Sequence, residues 1–159
     1  MTSEYLQGVQ ALYDGEVFGE RVLLALHARA RTPRDAYHFA TILQLETETK
    51  ARLRPLMLKY GLGLDETLDP AVVPPRVEAY LGGDWRGYAA GMAVRLGPIL
   101  TRYEAIAALG PAEDQAILQA VVQHEAALLA WAEAEAEGPS DAALAPMIAL
   151  LNFPVAPPT

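Results

Sequence analysis

Apolar residues recur every three and four positions along four long segments of the chain, which is the spacing of amphipathic α-helices. Glycine and proline residues separate these segments. The pattern predicts helices over residues 3–30, 33–61, 85–109 and 111–138, followed by a short helix at 140–151 and a proline-rich tail at 152–159. Thr32 and Asp84 are expected to cap the second and third helices, because side-chain oxygens accept hydrogen bonds from the free amides of a first turn.

The lengths of the connections predict how the helices are arranged. Only a few residues join the first helix to the second and the third to the fourth, so each pair should form an antiparallel hairpin. Residues 61–83 connect the second helix to the third and are long enough to cross the length of a bundle. We therefore expect one all-α domain over residues 1–159, an antiparallel four-helix bundle at 3–137 with one long crossover between helices 2 and 3 and a short C-terminal helix.

Charge and composition narrow the partners and the location. The net charge of −8 argues against binding to nucleic acid or to an anionic membrane surface. The absence of cysteine excludes disulfides and thiolate metal ligands. Residues 1–5 have neither the basic nor the apolar region of a signal peptide, so a cytoplasmic location is expected. The segment 140–151 is apolar nearly all round and must dock on the bundle or on another subunit, and we expect a homodimer or larger assembly.

Polar residues fall on the inward stripes of all four long helices when each residue is advanced by about 100° around the helix axis. Those on or near the stripes are Glu16, Glu20, Glu46, Lys50, Tyr103, Glu104, His124 and Glu125. Glu104 and Glu125 lie well away from the centres of their stripes, so both are at the margin. Glu46 and Lys50 are one turn apart on the same stripe, and each is expected to compensate the charge of the other.

This arrangement of two helix pairs, a long crossover and inward carboxylates resembles the ferritin-like superfamily, which includes ferritins, rubrerythrins and carboxylate-bridged di-iron oxidases. In that family two helices each give a Glu and the other two each give Glu-x-x-His, which together bind two cations. The resemblance covers about residues 3–137 and implies iron or manganese as the metal. The ligands that it implies are Glu16 or Glu20, Glu46, Glu104 and Glu125, with His124 as ligand or proton donor.

The histidine positions of the family motif are occupied differently in this chain. Thr49 stands three residues after Glu46, and Leu128 stands three residues after Glu125. His124 precedes Glu125, and the Lys50 ammonium would repel a cation near Glu46.

These departures favour a metal-free protein with a role in association, over the alternative of a carboxylate-bridged iron or manganese oxidoreductase. Its internal polar network would consist of Glu20, Glu46, Lys50, Tyr103 and His124. A third use of the interior would be a desolvated Lys50 that acts as a nucleophile toward a carbonyl.

Overall fold

The chain is all-α, as its hydrophobic pattern predicts. A computed structural model describes residues 2–140 and 142–158, and within these ranges it contains helices and no strand. The helices are α1 (Ser3–His27), α2 (Pro33–Lys59), α3 (Pro74–Leu81), α4 (Trp85–Leu109), α5 (Gln115–Glu137) and α6 (Ala145–Ile148). Position 141 of the expected C-terminal helix and position 159 of the expected tail lie outside the described residues. Among the described residues, no helix is both long enough and apolar enough to cross a bilayer.

Local side-chain chemistry sets where the long helices begin and end. The Thr32 hydroxyl accepts a hydrogen bond from the Asp35 amide at 3.0 Å, so the first predicted cap is confirmed. The Asp84 carboxylate accepts one from the Gly87 amide at 2.7 Å, which confirms the second. After α2 ends, Gly61 adopts a positive φ, a left-handed conformation that suits glycine. The helix ends differ from the predicted ones by a few residues, because helix ends depend on local hydrogen bonds that periodicity does not report.

The contacts between helices show how the long helices lie against one another. α2 meets α5 through His38 and Trp131 near one end and through Lys59 and Asp114 near the other, so these two helices run antiparallel. α1 lies close to α4 at Gly8, where a side chain would collide with Ile106. The most extensive packing occurs within the pairs α1 and α2, and α4 and α5.

The interior consists of two apolar clusters with polar residues between them. One cluster is centred on Leu26, Phe39 and Trp131, and the other on Tyr5, Leu53 and Leu118. One group of buried polar residues lies at 46–50 on α2 and 124–125 on α5, between the stretches that contribute to the two clusters, and Glu16 of α1 lies near the same boundary, next to Val17. This polar layer is where the candidate site forms.

The C-terminal segment packs on its own chain. α6 has only four residues and is shorter than the helix expected at 140–151, although Leu144 and Met147 are buried. Both side chains belong to the cluster centred on Trp131. The amides of Asn152 and Phe153 donate to the Glu48 carboxylate at 2.8 and 2.9 Å and tie down the start of the tail. Ile148, Leu150 and Leu151 are half-buried against the same cluster. Much of the apolar surface on which the expected homodimer rested is therefore covered by the chain itself, and the dimer stays a prediction.

Candidate metal centre

Three helices bring Glu16, Glu46 and His124 together in the polar layer. They come from α1, α2 and α5, and each offers one ligand atom such that all these atoms lie within 4.8 Å of one another. All three residues are buried, with exposed fractions of 1%, 6% and 1%. The inward stripes of the sequence therefore identify these residues correctly as interior ones, and the structure adds that they are mutual neighbours.

His124 is held between a hydroxyl and two carboxylates. Its Nδ1 lies 2.9 Å from the Thr49 hydroxyl and 3.3 Å from Glu16 Oε2, and its Nε2 lies 3.7 Å from Glu46 Oε1. When Nδ1 carries the proton and donates it to Thr49, the lone pair of Nε2 faces Glu46. A hydrogen bond to one ring nitrogen that orients the other is the usual support for a histidine ligand.

Burial and mutual repulsion shift the charges of this cluster. Burial, reinforced by the Glu46 and Glu125 carboxylates, raises the pKa of Glu16 well above its ordinary value. Burial also raises the pKa of Glu125 to about 7, although the His124 charge opposes the shift. For His124, burial lowers the pKa but the neighbouring carboxylates of Glu46 and Glu125 outweigh it and raise the pKa overall. The cluster thus attracts positive charge.

Several polar atoms of the cluster have no hydrogen-bond partner among the described residues. They are Glu16 Oε2 and His124 Nε2. Oε1 of Glu125, the residue that follows His124, is likewise buried and unpaired. Buried polar atoms in folded proteins are nearly always paired, because an unpaired one costs about 1 to 3 kcal/mol. Two carboxylate oxygens and an imidazole nitrogen are suitable ligands for a first-row divalent cation.

Lys50 pairs with residues outside this cluster, and the expected Lys50–Glu46 pair is wrong. Its ammonium donates to Glu20 and, at 2.9 Å, to Glu66 in the segment between α2 and α3. Glu20 also accepts a hydrogen bond from Thr47 at 2.7 Å. The Cα of Lys50 lies one turn from Glu46. The long, flexible side chain nevertheless carries the ammonium to α1 and to the segment between α2 and α3. Glu20 and Lys50 therefore form a separate ion pair.

Lys50 is a cation rather than a neutral nucleophile. Burial alone would lower its pKa, but the hydrogen bonds to Glu20 and Glu66 outweigh burial and raise the pKa. This contradicts the use of Lys50 as a nucleophile, which requires an unprotonated amine. Because the ammonium contacts Glu20 and Glu66, it does not lie against the Glu46 carboxylate.

A double-mutant cycle tests this assignment of the ion pair. Lys50→Met and Glu20→Gln should show a coupling energy of about 1 to 3 kcal/mol, because the two charges are in direct contact. Lys50→Met and Glu46→Gln should be additive within about 0.5 kcal/mol. Free energies of unfolding from urea titrations of the single and double variants measure both couplings. Strong coupling of Lys50 to Glu46, with none to Glu20, would restore the pair expected from the sequence.

The two candidates on α4 have opposite placements. Tyr103 is buried with 7% exposure, whereas Glu104 is exposed and lies away from the cluster. Burial and then the nearby carboxylates raise the pKa of Tyr103, so its phenol keeps its proton. Glycines in α1 make room for these side chains, since a methyl group would collide with the Tyr103 hydroxyl at Gly15 and with the Glu46 carboxylate at Gly19. Any larger residue at either glycine would displace a side chain of the site.

A cavity of about 140 Å³ adjoins the cluster. Its polar surface includes Glu16, Glu46, Glu125 and Tyr103, and its apolar walls come chiefly from α1 and α4. The half-buried Arg76 and Arg95 also line the cavity. A small molecule in this space would contact the cluster directly.

Comparison with protein-family models, curated protein sequences and solved structures gives no significant match. The function therefore has to be inferred from the chemistry of the residues themselves.

Proposed function

We propose that the protein is a ferritin-like four-helix bundle that binds a single iron or manganese ion and acts as an oxidoreductase. Glu16, Glu46 and His124 would hold the ion. Glu125, which lines the adjoining cavity, would add negative charge beside it. The observation that carries the proposal is the convergence of Glu16, Glu46 and His124, in which buried atoms of Glu16 and His124 are unpaired. A divalent cation would supply the partner that each of these atoms lacks.

Charge and distance support a cation in this cluster. The three carboxylates, when ionised, exceed the charge of a divalent cation by one, which the partly protonated Glu125 can offset. Ligand atoms on opposite sides of a first-row cation lie about 4 Å apart. The present separations, all within 4.8 Å, require only small rotations of the carboxylates to reach that value.

The ligands suffice for one ion rather than for a carboxylate-bridged pair. A two-metal site of the ferritin-like type uses about four carboxylates and two imidazoles. Glu20 is bound to Lys50, and Glu104 is exposed, so neither joins the cluster. His124 is the one imidazole within the described cluster.

The chain supplies the surroundings that such a site needs. Iron or manganese would provide one-electron redox chemistry when bound. Thr49 orients the His124 ring, and Tyr103 presents a protonated phenol to the cavity beside the carboxylates. The apolar walls of the cavity limit the access of water, which strengthens the electrostatic interactions within it.

The raised pKa values of Glu16 and Glu125 favour a second candidate, a metal-free polar network in a protein that functions by association. In that state protons on these carboxylates would relieve the charge that a cation otherwise relieves. Metal binding therefore decides between the two candidates.

Manganese titration of the metal-free protein tests the proposal. We expect one equivalent of Mn²⁺ to bind, to change the electron paramagnetic resonance spectrum from that of the free ion, and to raise the melting temperature, because a ligand that binds only the folded state stabilises it. Glu46→Gln and His124→Gln should each weaken binding by tenfold or more, on the order expected for loss of a ligand. Glu104→Gln is the matched control and should bind like the wild type, since Glu104 is exposed. An unchanged melting temperature at millimolar Mn²⁺ and at millimolar Fe²⁺ would contradict the proposal.

A further inference from the structure

The cavity beside the candidate metal centre has a second polar feature at Arg76 and Arg95. Arg76 comes from α3 and Arg95 from α4, and both are half-buried, whereas the carboxylates of the cluster are buried. The arginines therefore mark the end of the cavity nearer to solvent. The lining also includes apolar side chains such as Val22, Met92 and Leu96.

Neither arginine has a carboxylate partner among the described residues. Within residues 2–140 and 142–158, neither guanidinium takes part in an ion pair or a side-chain hydrogen bond, although Arg76 lies over the Phe18 ring at 5.7 Å. By contrast, the half-buried Arg34 and the buried Lys50 each contact carboxylates. Both side chains line the same cavity. Burial, and after it the like charge of Arg76, lowers the pKa of Arg95.

Two neighbouring unpaired cations are unusual in this acidic chain. The sequence has 20 acidic and 12 basic residues, so a carboxylate partner from the chain itself would be easy to provide. Half-buried like charges without a counterion are unfavourable, and an anion between them would remove the repulsion. Arginine is suited to this role because its planar guanidinium binds a carboxylate through two parallel hydrogen bonds.

We propose that Arg76 and Arg95 bind the carboxylate of a small apolar acid whose body fills the adjoining cavity. The size of the cavity limits the body to about one ring or a short chain, since an apolar cavity of comparable volume in another protein holds benzene. Such a body would extend from the arginines toward Glu16 and Glu46. The role of this acid as a substrate rests on the proposed metal function, whereas its binding rests on the arginines and the cavity alone.

Calorimetric titration with benzoate, on both the metal-free and the Mn²⁺-treated protein, tests the proposal. We expect one benzoate to bind per chain, and benzyl alcohol, which has the same ring without the charge, to bind about tenfold more weakly or worse. Arg95→Gln and Arg76→Gln should each weaken benzoate binding by a similar factor. Arg102→Gln, an exposed arginine on the same helix as Arg95, should leave binding unchanged. Met92→Trp should reduce binding by filling the cavity, as long as circular dichroism shows that the variant is folded.

The outcomes separate this proposal from the metal function. Benzoate binding to metal-free protein, lost in Arg95→Gln, supports the acid site even if Mn²⁺ does not bind. Mn²⁺ binding without benzoate binding overturns the acid site and leaves the metal function intact. Benzoate binding that requires Mn²⁺ and is unaffected by Arg95→Gln also overturns the site, since the carboxylate would then bind elsewhere. Equal or tighter binding of phenyl phosphate would overturn the assignment of a carboxylate head group.

Discussion

Glu16→Gln is expected to stabilise the metal-free protein near pH 8 by about 2 kcal/mol, because it removes a buried carboxylate that the neighbouring Glu46 and Glu125 carboxylates repel. Glu16 is one of the most deeply buried side chains. Its carboxylate has an unpaired oxygen and lies beside the Glu46 and Glu125 carboxylates. Glutamine keeps nearly the same shape and removes one charge from this group. A buried residue whose removal increases stability is typical of a site maintained for function rather than for folding.

The stability of the metal-free wild type should also fall as the pH rises from about 5 to about 8. The pKa of Glu125 is raised to about 7 in the folded state, so below that pH the folded chain retains a proton that the unfolded chain has lost. The folded state then binds more protons than the unfolded state, and its stability decreases with pH, by on the order of 2 to 3 kcal/mol for this group. Carboxylates with lowered pKa values, such as Asp114, act in the opposite direction but only at lower pH.

Urea denaturation in the presence of a chelator, at about pH 5.5 and at about pH 8, measures both effects. Glu16→Gln should gain stability mainly at the higher pH and should lose the stabilisation by Mn²⁺. Glu104→Gln serves as the control because it removes an exposed carboxylate from α4. Destabilisation by Glu16→Gln at both pH values would mean that this carboxylate supports the fold and would contradict the interpretation of the cluster.

Glu135→Leu should have the opposite effect and destabilise the protein by about 3 kcal/mol. Glu135 is fully buried like Glu16, but its oxygens are paired. They accept hydrogen bonds from Arg34 at 2.7 and 2.8 Å, from the Trp85 indole and from the Ser140 amide. Leucine would leave the Trp85 indole and the Ser140 amide without this acceptor, and Arg34 with only the Ser140 carbonyl at 3.4 Å. Loss of one partner from such a group costs more than the pair contributes.

The matched control is Glu133→Leu, two positions earlier on α5, where the side chain is exposed. Its free energy of unfolding should stay within about 0.5 kcal/mol of the wild type. Circular dichroism and urea titration of both variants provide the comparison. Equal small effects at positions 133 and 135 would show that the contacts of Glu135 contribute little to stability.

Much of the fold follows from the local pattern. The caps at Thr32 and Asp84 and the extents of the long helices follow from residue spacing and first-turn chemistry. The inward placement of Glu46 and His124 follows from about 100° of rotation per residue. Both kinds of inference use only neighbours along the chain, which is why they succeed without knowledge of the tertiary structure.

The contacts that sequence reasoning missed join distant parts of the chain. Lys50 reaches Glu66, which lies in the irregular segment between α2 and α3, where no periodicity indicates which way a side chain points. Glu135 lies near a helix end, where the local pattern favours hydration, but its contact with Ser140 shows that the following chain covers it. Glu125 and Glu104 both lie at the margins of the inward stripes of their helices. Only the packing of neighbouring helices makes Glu125 buried and Glu104 exposed.

The polar layer divides the apolar interior into two compartments that share no side chain among the described residues. Loosening of the packing on one side therefore reaches the other through the long helices and through the polar layer between the compartments. A cation held by α1, α2 and α5 would connect the compartments at their boundary. Without it, amide exchange in the two halves can proceed through separate openings, whereas a bound ion would make the halves open together.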